Sequence, residues 1–132
     1  MMNVSDILRT KGPQFNRLDG NTSVADALTL MNSEGFDHVV VTKNGEYAGV
    51  FLEKGYTRTV THKGKDFRNE LIAELMSNEL PIVDIDVSIE SCYRIMNAYK
   101  TSCLPVFDNF SFMGVITLND VINKILLNSE TV

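Results

Sequence analysis

Residues 114–121 read GVITLNDV, the end of a predicted strand at Thr117 followed directly by a helix. The same Gly-Val pair stands 65 positions earlier, at Gly49 and Val50. At this offset eight residues of the first half align with identical residues in the second. Chance alone would give about three identities over about fifty aligned positions. The matched positions of the first half are Asp19, Ser23, Met31, Asn32, Val41, Asn44, Gly49 and Val50. Because the apolar pattern repeats as well, the chain is predicted to hold two related half-domains.

Length, charge and composition predict one class of protein. With 132 residues the chain can bury roughly two thirds of the surface that its unfolded form exposes, so its core needs no metal or disulfide. The net charge of −5 argues against nucleic-acid binding, which depends on neutralising phosphates. No apolar run approaches the ~18 residues of a membrane span, and Cys92 and Cys103 lack metal-ligand spacing. We expect a soluble cytoplasmic protein with two buried thiols, binding neither nucleic acid nor membrane.

Each repeat is predicted to run strand, helix, hairpin, helix. In the first, Ser23 starts a helix of about a dozen residues that stops at Gly35, and Asn44-Gly45 favours a tight hairpin turn. In the second, a helix over residues 88–99 precedes a hairpin whose glycine is lost, so a different turn is expected there. Short helices over 4–8 and 71–76 precede the two repeats. The segment between the repeats is rich in basic residues and is most simply interpreted as a solvent-exposed connector. Its basic residues are Lys54, Arg58, Lys63, Lys65 and Arg68.

The βαββα unit that ends in residues 114–121 resembles the cystathionine-β-synthase (CBS) domain, and two in tandem resemble a Bateman module. The sequence of residues 52–58, LEKGYTR, followed by HKGK at 62–65, resembles the first-repeat ending of stand-alone CBS proteins. The fold class is then mixed α/β, with two βαββα repeats packed as one pseudo-two-fold module. Repeat 1 is predicted to span residues 1–62, a basic linker to span residues 63–70, and repeat 2 to span residues 71–128. The resemblance implies a regulatory module, commonly dimeric, that binds adenosine-containing ligands in the clefts between the repeats.

Thr117 and Asp120 carry the polar chemistry of repeat 2. Thr117 ends a strand and opens a helix, so its hydroxyl and the following N–H groups can meet a phosphate at the positive end of the helix dipole. Asp120 lies one helical turn on, where its carboxylate can accept hydrogen bonds from both hydroxyls of a ribose. The same spacing also forms a capping box, a purely structural arrangement, and the two interpretations are compatible.

The resemblance also implies where adenine lies. One side of the base would be formed by Met76, Pro81 and Ile82, and the other by the residues that lead into the next strand. Those residues are Thr101, Ser102, Cys103, Leu104 and Pro105. They combine apolar side chains with nearby backbone polar groups, as a flat and partly polar base requires.

Repeat 1 has lost both polar groups. Leu52 and Gly55 stand where repeat 2 has Thr117 and Asp120, and neither offers a hydroxyl or a carboxylate. Arg58 remains as a phosphate contact for a ligand held by repeat 2, because the resemblance places an arginine there in the stand-alone proteins. Neighbouring basic residues that could act in the same way are Lys54, His62 and Lys63.

No sequence motif indicates catalysis. His38 and His62 are isolated, and Asp84 and Asp86 lie on one face of an extended segment where they are expected to be solvated. We therefore expect no enzyme and no required cofactor.

Two functions remain open. One is a sensor of AMP, ADP, ATP or another adenosine derivative that acts on an effector protein in trans. The other is a ligand-free CBS scaffold for dimerisation or protein interaction. The surplus apolar width of the closing helices predicts a homodimer, formed around residues 28–31 and 93–96 and the segments after Gly49 and Gly114.

Overall fold

The structure, a computed structural model, describes residues 2–12 and 15–130, the last three of these by their backbone alone. The elements in chain order are α1 Val4–Lys11, β1 Arg17–Asp19, α2 Val24–Glu34, β2 His38–Lys43, β3 Glu46–Leu52, α3 Glu53–Lys63, α4 Ile72–Leu75, β4 Val83–Asp84, α5 Ile89–Tyr99, β5 Cys103–Asp108, β6 Ser111–Thr117 and α6 Leu118–Glu130. The predicted mixed α/β fold with two βαββα repeats is confirmed. No described helix is both long and apolar enough to cross a lipid bilayer.

The chain forms two compact units. The repeat-1 unit consists of residues 15–79, and the repeat-2 unit of the described residues among 1–14 and 80–132. These packing units do not follow the repeat boundaries in the sequence. Helix α1 lies at the start of sequence repeat 1 but belongs to the repeat-2 unit, and α4 lies at the start of sequence repeat 2 but belongs to the repeat-1 unit.

Both units have the same sheet. The strand order is β1-β2-β3 in one and β4-β5-β6 in the other, with the first pair parallel and the second antiparallel. Each hairpin carries a register shift at the same repeat position, after Val41 and after Val106. Helices α2 and α5 make the crossover that a parallel pair requires. The repeat found in the sequence is therefore a repeat of backbone geometry.

The local signals of repeat 1 act as predicted. The Ser23 hydroxyl accepts a hydrogen bond from the Asp26 N–H at 3.1 Å and starts α2. The helix ends at Gly35 in the left-handed conformation, with φ 75°. Asn44 and Gly45 both have positive φ, 53° and 79°, as a type I′ hairpin turn requires.

Repeat 2 reaches the same geometry with less suitable residues. Helix α5 starts at Ser88, as α2 starts at Ser23, but ends at Lys100, which adopts φ 53° without being glycine. The β5–β6 turn is Asn109-Phe110, in which only Asn109 has positive φ. This turn therefore differs from that of repeat 1, as predicted, and it leaves the Phe110 side chain fully exposed.

Each unit has its own apolar core. The repeat-1 core is formed by Val24, Ala27, Met31, Val39, Val41, Phe51 and Ile72. The repeat-2 core is formed by Val4, Ile7, Val83, Ile89, Cys92, Met96, Leu104, Val106, Ile116 and Val121. Val4 and Ile7 of α1 and Ile72 of α4 are therefore buried in the core of the unit to which each helix belongs. Met31 and Met96 are buried in these cores, whereas Leu30 and Tyr93 on the same two helices are 37% and 45% exposed.

Candidate functional site

The β6–α6 junction holds the predicted pair Thr117 and Asp120. Thr117 is the last residue of β6 and donates its N–H to Asp120 Oδ2 at 2.8 Å. The Thr117 hydroxyl oxygen accepts a hydrogen bond from the Asp120 N–H at 3.1 Å. These two bonds are the reciprocal pair of a capping box. The structural interpretation of the motif is thus realised in the fold.

Lys11 is a third member of this junction. Its ammonium donates to Asp120 Oδ2 and to the Val115 carbonyl oxygen, both at 2.9 Å. The Asp120 side chain is 22% exposed and that of Lys11 is 33% exposed, so the pair is partly shielded from water. Sequence reasoning missed Lys11, because it lies 109 positions from Asp120 and comes from the first helix of the other sequence repeat.

The carboxylate of Asp120 keeps one oxygen open. Both the Thr117 N–H and the Lys11 ammonium bind Oδ2, and no described residue donates a hydrogen bond to Oδ1. A carboxylate oxygen can accept two hydrogen bonds. The geometry therefore leaves acceptor capacity for donors such as ribose hydroxyls.

The backbone donors at the start of α6 are largely used. The N–H groups of Thr117 and Asp120 serve the capping box, and the Leu118 N–H donates to the Ser102 carbonyl oxygen at 2.8 Å. The Thr117 hydroxyl accepts a hydrogen bond but still has its own proton to donate. A phosphate at this junction would rely on that hydroxyl more than on the N–H groups that the sequence analysis invokes.

Most residues predicted to contact adenine lie near this junction in the same unit. Cys103 pairs with Thr117 across the β5–β6 ladder, and Pro105 pairs with Val115. Cys103 and Pro105 are buried, whereas Ile82 is 57% exposed. The other predicted contacts in this unit, Pro81, Thr101 and Ser102, are partly buried. Met76 belongs to the repeat-1 unit, where it packs against that core.

Comparison with known proteins identifies the fold and the family. The family model of the CBS domain matches residues 4–58 and again 72–127. The chain belongs to the CBS-domain family. A CBS domain-containing protein of Bacillus subtilis, YhcV, is 24% identical over 92% of this chain and 84% of its own length.

Solved structures of CBS proteins share the fold. A protein with CBS domains from Burkholderia ambifaria superposes with a TM-score of 0.86 and 24% identity, over 96% of this chain and 95% of that one. A hexameric CBS-CP12 protein from bloom-forming cyanobacteria gives a TM-score of 0.75 and 21% identity, over 92% and 70%. Tandem CBS modules are generally regulatory ligand-binding or interaction modules, and stand-alone CBS proteins are generally not enzymes.

The corresponding junction in CBS repeat 1 is different. Leu52 precedes α3 and makes no side-chain capping hydrogen bond, and Gly55 lies within the helix. Arg58, Lys54 and Lys63 are on α3 itself with exposed side chains. Part of the predicted basic connector is therefore helical. Its charges face solvent, as the sequence analysis expects.

Sequence reasoning also missed a groove in the repeat-1 unit. It has a volume of about 450 Å³ between α2 and α3. The residues that line it are Ala25, Leu28, Thr29, Tyr56, Thr57, Val60, Thr61, Asp66 and Arg68. Its lining combines apolar and hydroxyl side chains with one acidic and one basic residue, Asp66 and Arg68.

The remaining reactive side chains are structural. Cys92 and Cys103 are buried as predicted, and burial raises the pKa of the Cys92 thiol to about 11. The His38 Nδ1 lies 2.8 Å from Asp37 Oδ1. Within the described part of the chain no three His, Cys, Asp or Glu residues are grouped as a metal site.

Proposed function

We propose that this CBS protein is a regulatory module that binds an adenosine-containing nucleotide through repeat 2. Asp120 accepts hydrogen bonds from the ribose hydroxyls, and the Thr117 hydroxyl donates to a phosphate. The observation that carries this proposal is the open Oδ1 of Asp120, on a carboxylate already held in place beside the Thr117 hydroxyl. A fixed acceptor loses little conformational freedom on binding, which favours affinity.

The base would lie against the residues already described. In this proposal Pro81, Ile82, Thr101 and Ser102 contact adenine, and the buried Cys103 and Pro105 support this surface from the β5 strand. AMP, ADP and ATP all present the adenosine part that these residues would recognise.

The stoichiometry follows from the asymmetry of the repeats. Leu52 and Gly55 supply neither polar group, so one nucleotide per chain is expected. Binding can regulate an effector in trans only if the ligand has different affinities for two states of the module.

Ligand screening by thermal shift tests this proposal. AMP, ADP, ATP, NAD and S-adenosylmethionine are each added to the purified chain, because a ligand at 100 times its Kd adds about 2.7 kcal/mol of stability. Calorimetry with any positive ligand then gives the number of sites. We expect one site per chain, and two sites of similar affinity would contradict the role given to repeat 2.

Replacement of Asp120 tests the site itself. Asp120→Ala should weaken nucleotide binding by about 1 to 3 kcal/mol, the range for hydrogen bonds to a charged group. Asp86→Ala is the matched control, since it removes an exposed carboxylate from the same unit that makes no hydrogen bond to Thr117, Asp120 or Lys11. If Asp120→Ala binds nucleotide as tightly as Asp86→Ala, then Asp120 is only a helix cap.

Self-association is the second proposed function, and the α6 surface favours it. Ile122, Leu126 and Leu127 are 37%, 55% and 52% exposed on this helix, and Tyr93 of α5 is 45% exposed. Apolar side chains grouped in this way mark interaction surfaces more often than isolated ones do. CBS proteins often form oligomers, and a homodimer that covers this surface is the form proposed here.

A further inference from the structure

We infer that Lys11 is a specificity residue of the junction and selects phosphorylated adenosine ligands over unphosphorylated ones. This inference rests on the proposed function and adds a residue from outside repeat 2. Lys11 is the last residue of α1, and its ammonium is hydrogen-bonded to both Asp120 and Val115. The two bonds fix a positive charge at the point where the ribose acceptor lies.

Charge balance explains why a phosphate needs this lysine. Asp120 alone would repel a phosphate bound at Thr117, because two like charges in a partly shielded site repel more strongly than in open water. The Lys11 ammonium, 2.9 Å from Asp120 Oδ2, offsets the carboxylate charge. A neutral nucleoside meets no such repulsion, so its binding depends little on Lys11.

Lys11 is also placed to contact the phosphate. An ammonium has three donors, and no described residue accepts the third hydrogen of Lys11. Asp120 Oδ2 binds both Lys11 and the Thr117 N–H, so the ammonium lies two hydrogen bonds from the backbone of Thr117. A phosphate that receives the Thr117 hydroxyl proton would therefore lie close to Lys11.

The repeat-1 unit supports a role that is special to repeat 2. Val50 is the counterpart of Val115, and there the backbone of Ser77 satisfies both the carbonyl oxygen and the N–H, at 2.8 and 2.9 Å. In the repeat-2 unit a lysine ammonium binds the carbonyl oxygen instead. The cation is thus found in the unit that also has the threonine and the acid.

Calorimetry with adenosine and AMP separates this role from general electrostatics. Lys11→Met removes the ammonium and keeps most of the apolar stem. We expect its affinity for AMP to fall about fivefold, the upper range for a partly exposed ion pair, while its affinity for adenosine changes less than about twofold. Lys11→Arg keeps the charge and should retain most of the preference for AMP.

Lys124→Met is the matched control. Lys124 donates to the Thr10 hydroxyl at 3.1 Å, so it also joins α6 to the end of α1, and it makes no hydrogen bond to Asp120. Lys124→Met therefore removes one positive charge and one hydrogen bond between α1 and α6, as Lys11→Met also does. We expect its ratio of AMP to adenosine affinity to stay within about twofold of the wild type.

Each outcome decides the inference. Equal losses of affinity for AMP and adenosine in Lys11→Met would show that Lys11 only holds the junction together. Tighter binding of both ligands would show that Lys11 competes with them for Asp120. Either result overturns the inference but leaves the proposed nucleotide function standing. An unchanged ratio in Lys11→Met also overturns it. If the wild type binds none of the screened adenosine compounds and no adenosine, the proposed nucleotide function fails first, and the inference fails with it; if it binds only adenosine derivatives other than AMP and adenosine, the inference alone is overturned.

Discussion

Gly49 is the position where a single methyl group should most disturb the repeat-1 unit. A Cβ at this position would lie 2.7 Å from the Ser77 carbonyl oxygen and 2.9 Å from Met76 Sδ. Both distances are shorter than a nonbonded contact allows. Ser77 cannot simply move away, because its N–H and carbonyl oxygen are both hydrogen-bonded to Val50. Gly49→Ala must therefore displace the segment that follows α4, including Met76.

The expected cost combines two opposing effects. Overpacking of this kind costs about 1 to 3 kcal/mol. The alanine also restricts the unfolded chain, which returns about 0.4 to 1 kcal/mol. We expect Gly49→Ala to lower the free energy of unfolding by about 1 to 2 kcal/mol.

Gly55→Ala is the matched control with the opposite sign. Gly55 lies inside α3, and the nearest atom to its added Cβ is Leu52 Cβ at 3.7 Å, an ordinary contact. Replacing glycine by alanine inside a helix stabilises it by roughly 0.5 to 1 kcal/mol. The same chemical change should thus destabilise the protein at one position and stabilise it at the other.

Urea unfolding at one fixed protein concentration measures both variants. The concentration is fixed because association would shift the apparent stability by mass action. A change in the midpoint with an unchanged slope reports a change in stability. If Gly49→Ala proves as stable as Gly55→Ala, the segment at Met76 and Ser77 does not pack on β3 as described.

Two further measurements test the local strain and the assembly. Lys100→Gly should raise the thermal midpoint of unfolding by about 2 to 4 °C, because glycine adopts the left-handed conformation at the end of α5 without the steric cost that a Cβ brings. An unchanged or lower midpoint would show that contacts of the Lys100 side chain offset this cost. Light scattering at micromolar concentration should give a mass near twice that of the 14.8 kDa chain, and a single-chain mass would remove the proposed homodimer.

The elements of the fold were predictable because their signals are local. Ser23, Gly35 and the Asn44-Gly45 pair each fix a cap or a turn through their own backbone preferences, and the structure confirms all three. The different turn at Asn109 was predictable for the same reason. Because the sequence repeats, the elements of the second half could then be predicted from those of the first.

The partners of α1 and α4 were not predictable in this way. An apolar stripe shows that a helix will be buried but not which sheet will bury it. The linear order suggested that α1 belongs with repeat 1, yet Val4 and Ile7 lie in the repeat-2 core. The contact between Lys11 and Asp120 depends on this arrangement, so it could not be found before the fold was known.

Helix α3 helps to weigh the two interpretations of Thr117 and Asp120. It stands at the same place in repeat 1 as α6 does in repeat 2, and it runs for 11 residues although Leu52 provides no side-chain cap. The fold can therefore begin a helix at this position without a capping box. A cap that is not needed to form the helix leaves room for another use of the same two side chains. Since the structural hydrogen bonds to Asp120 converge on Oδ2, the open Oδ1 favours ligand binding as that use.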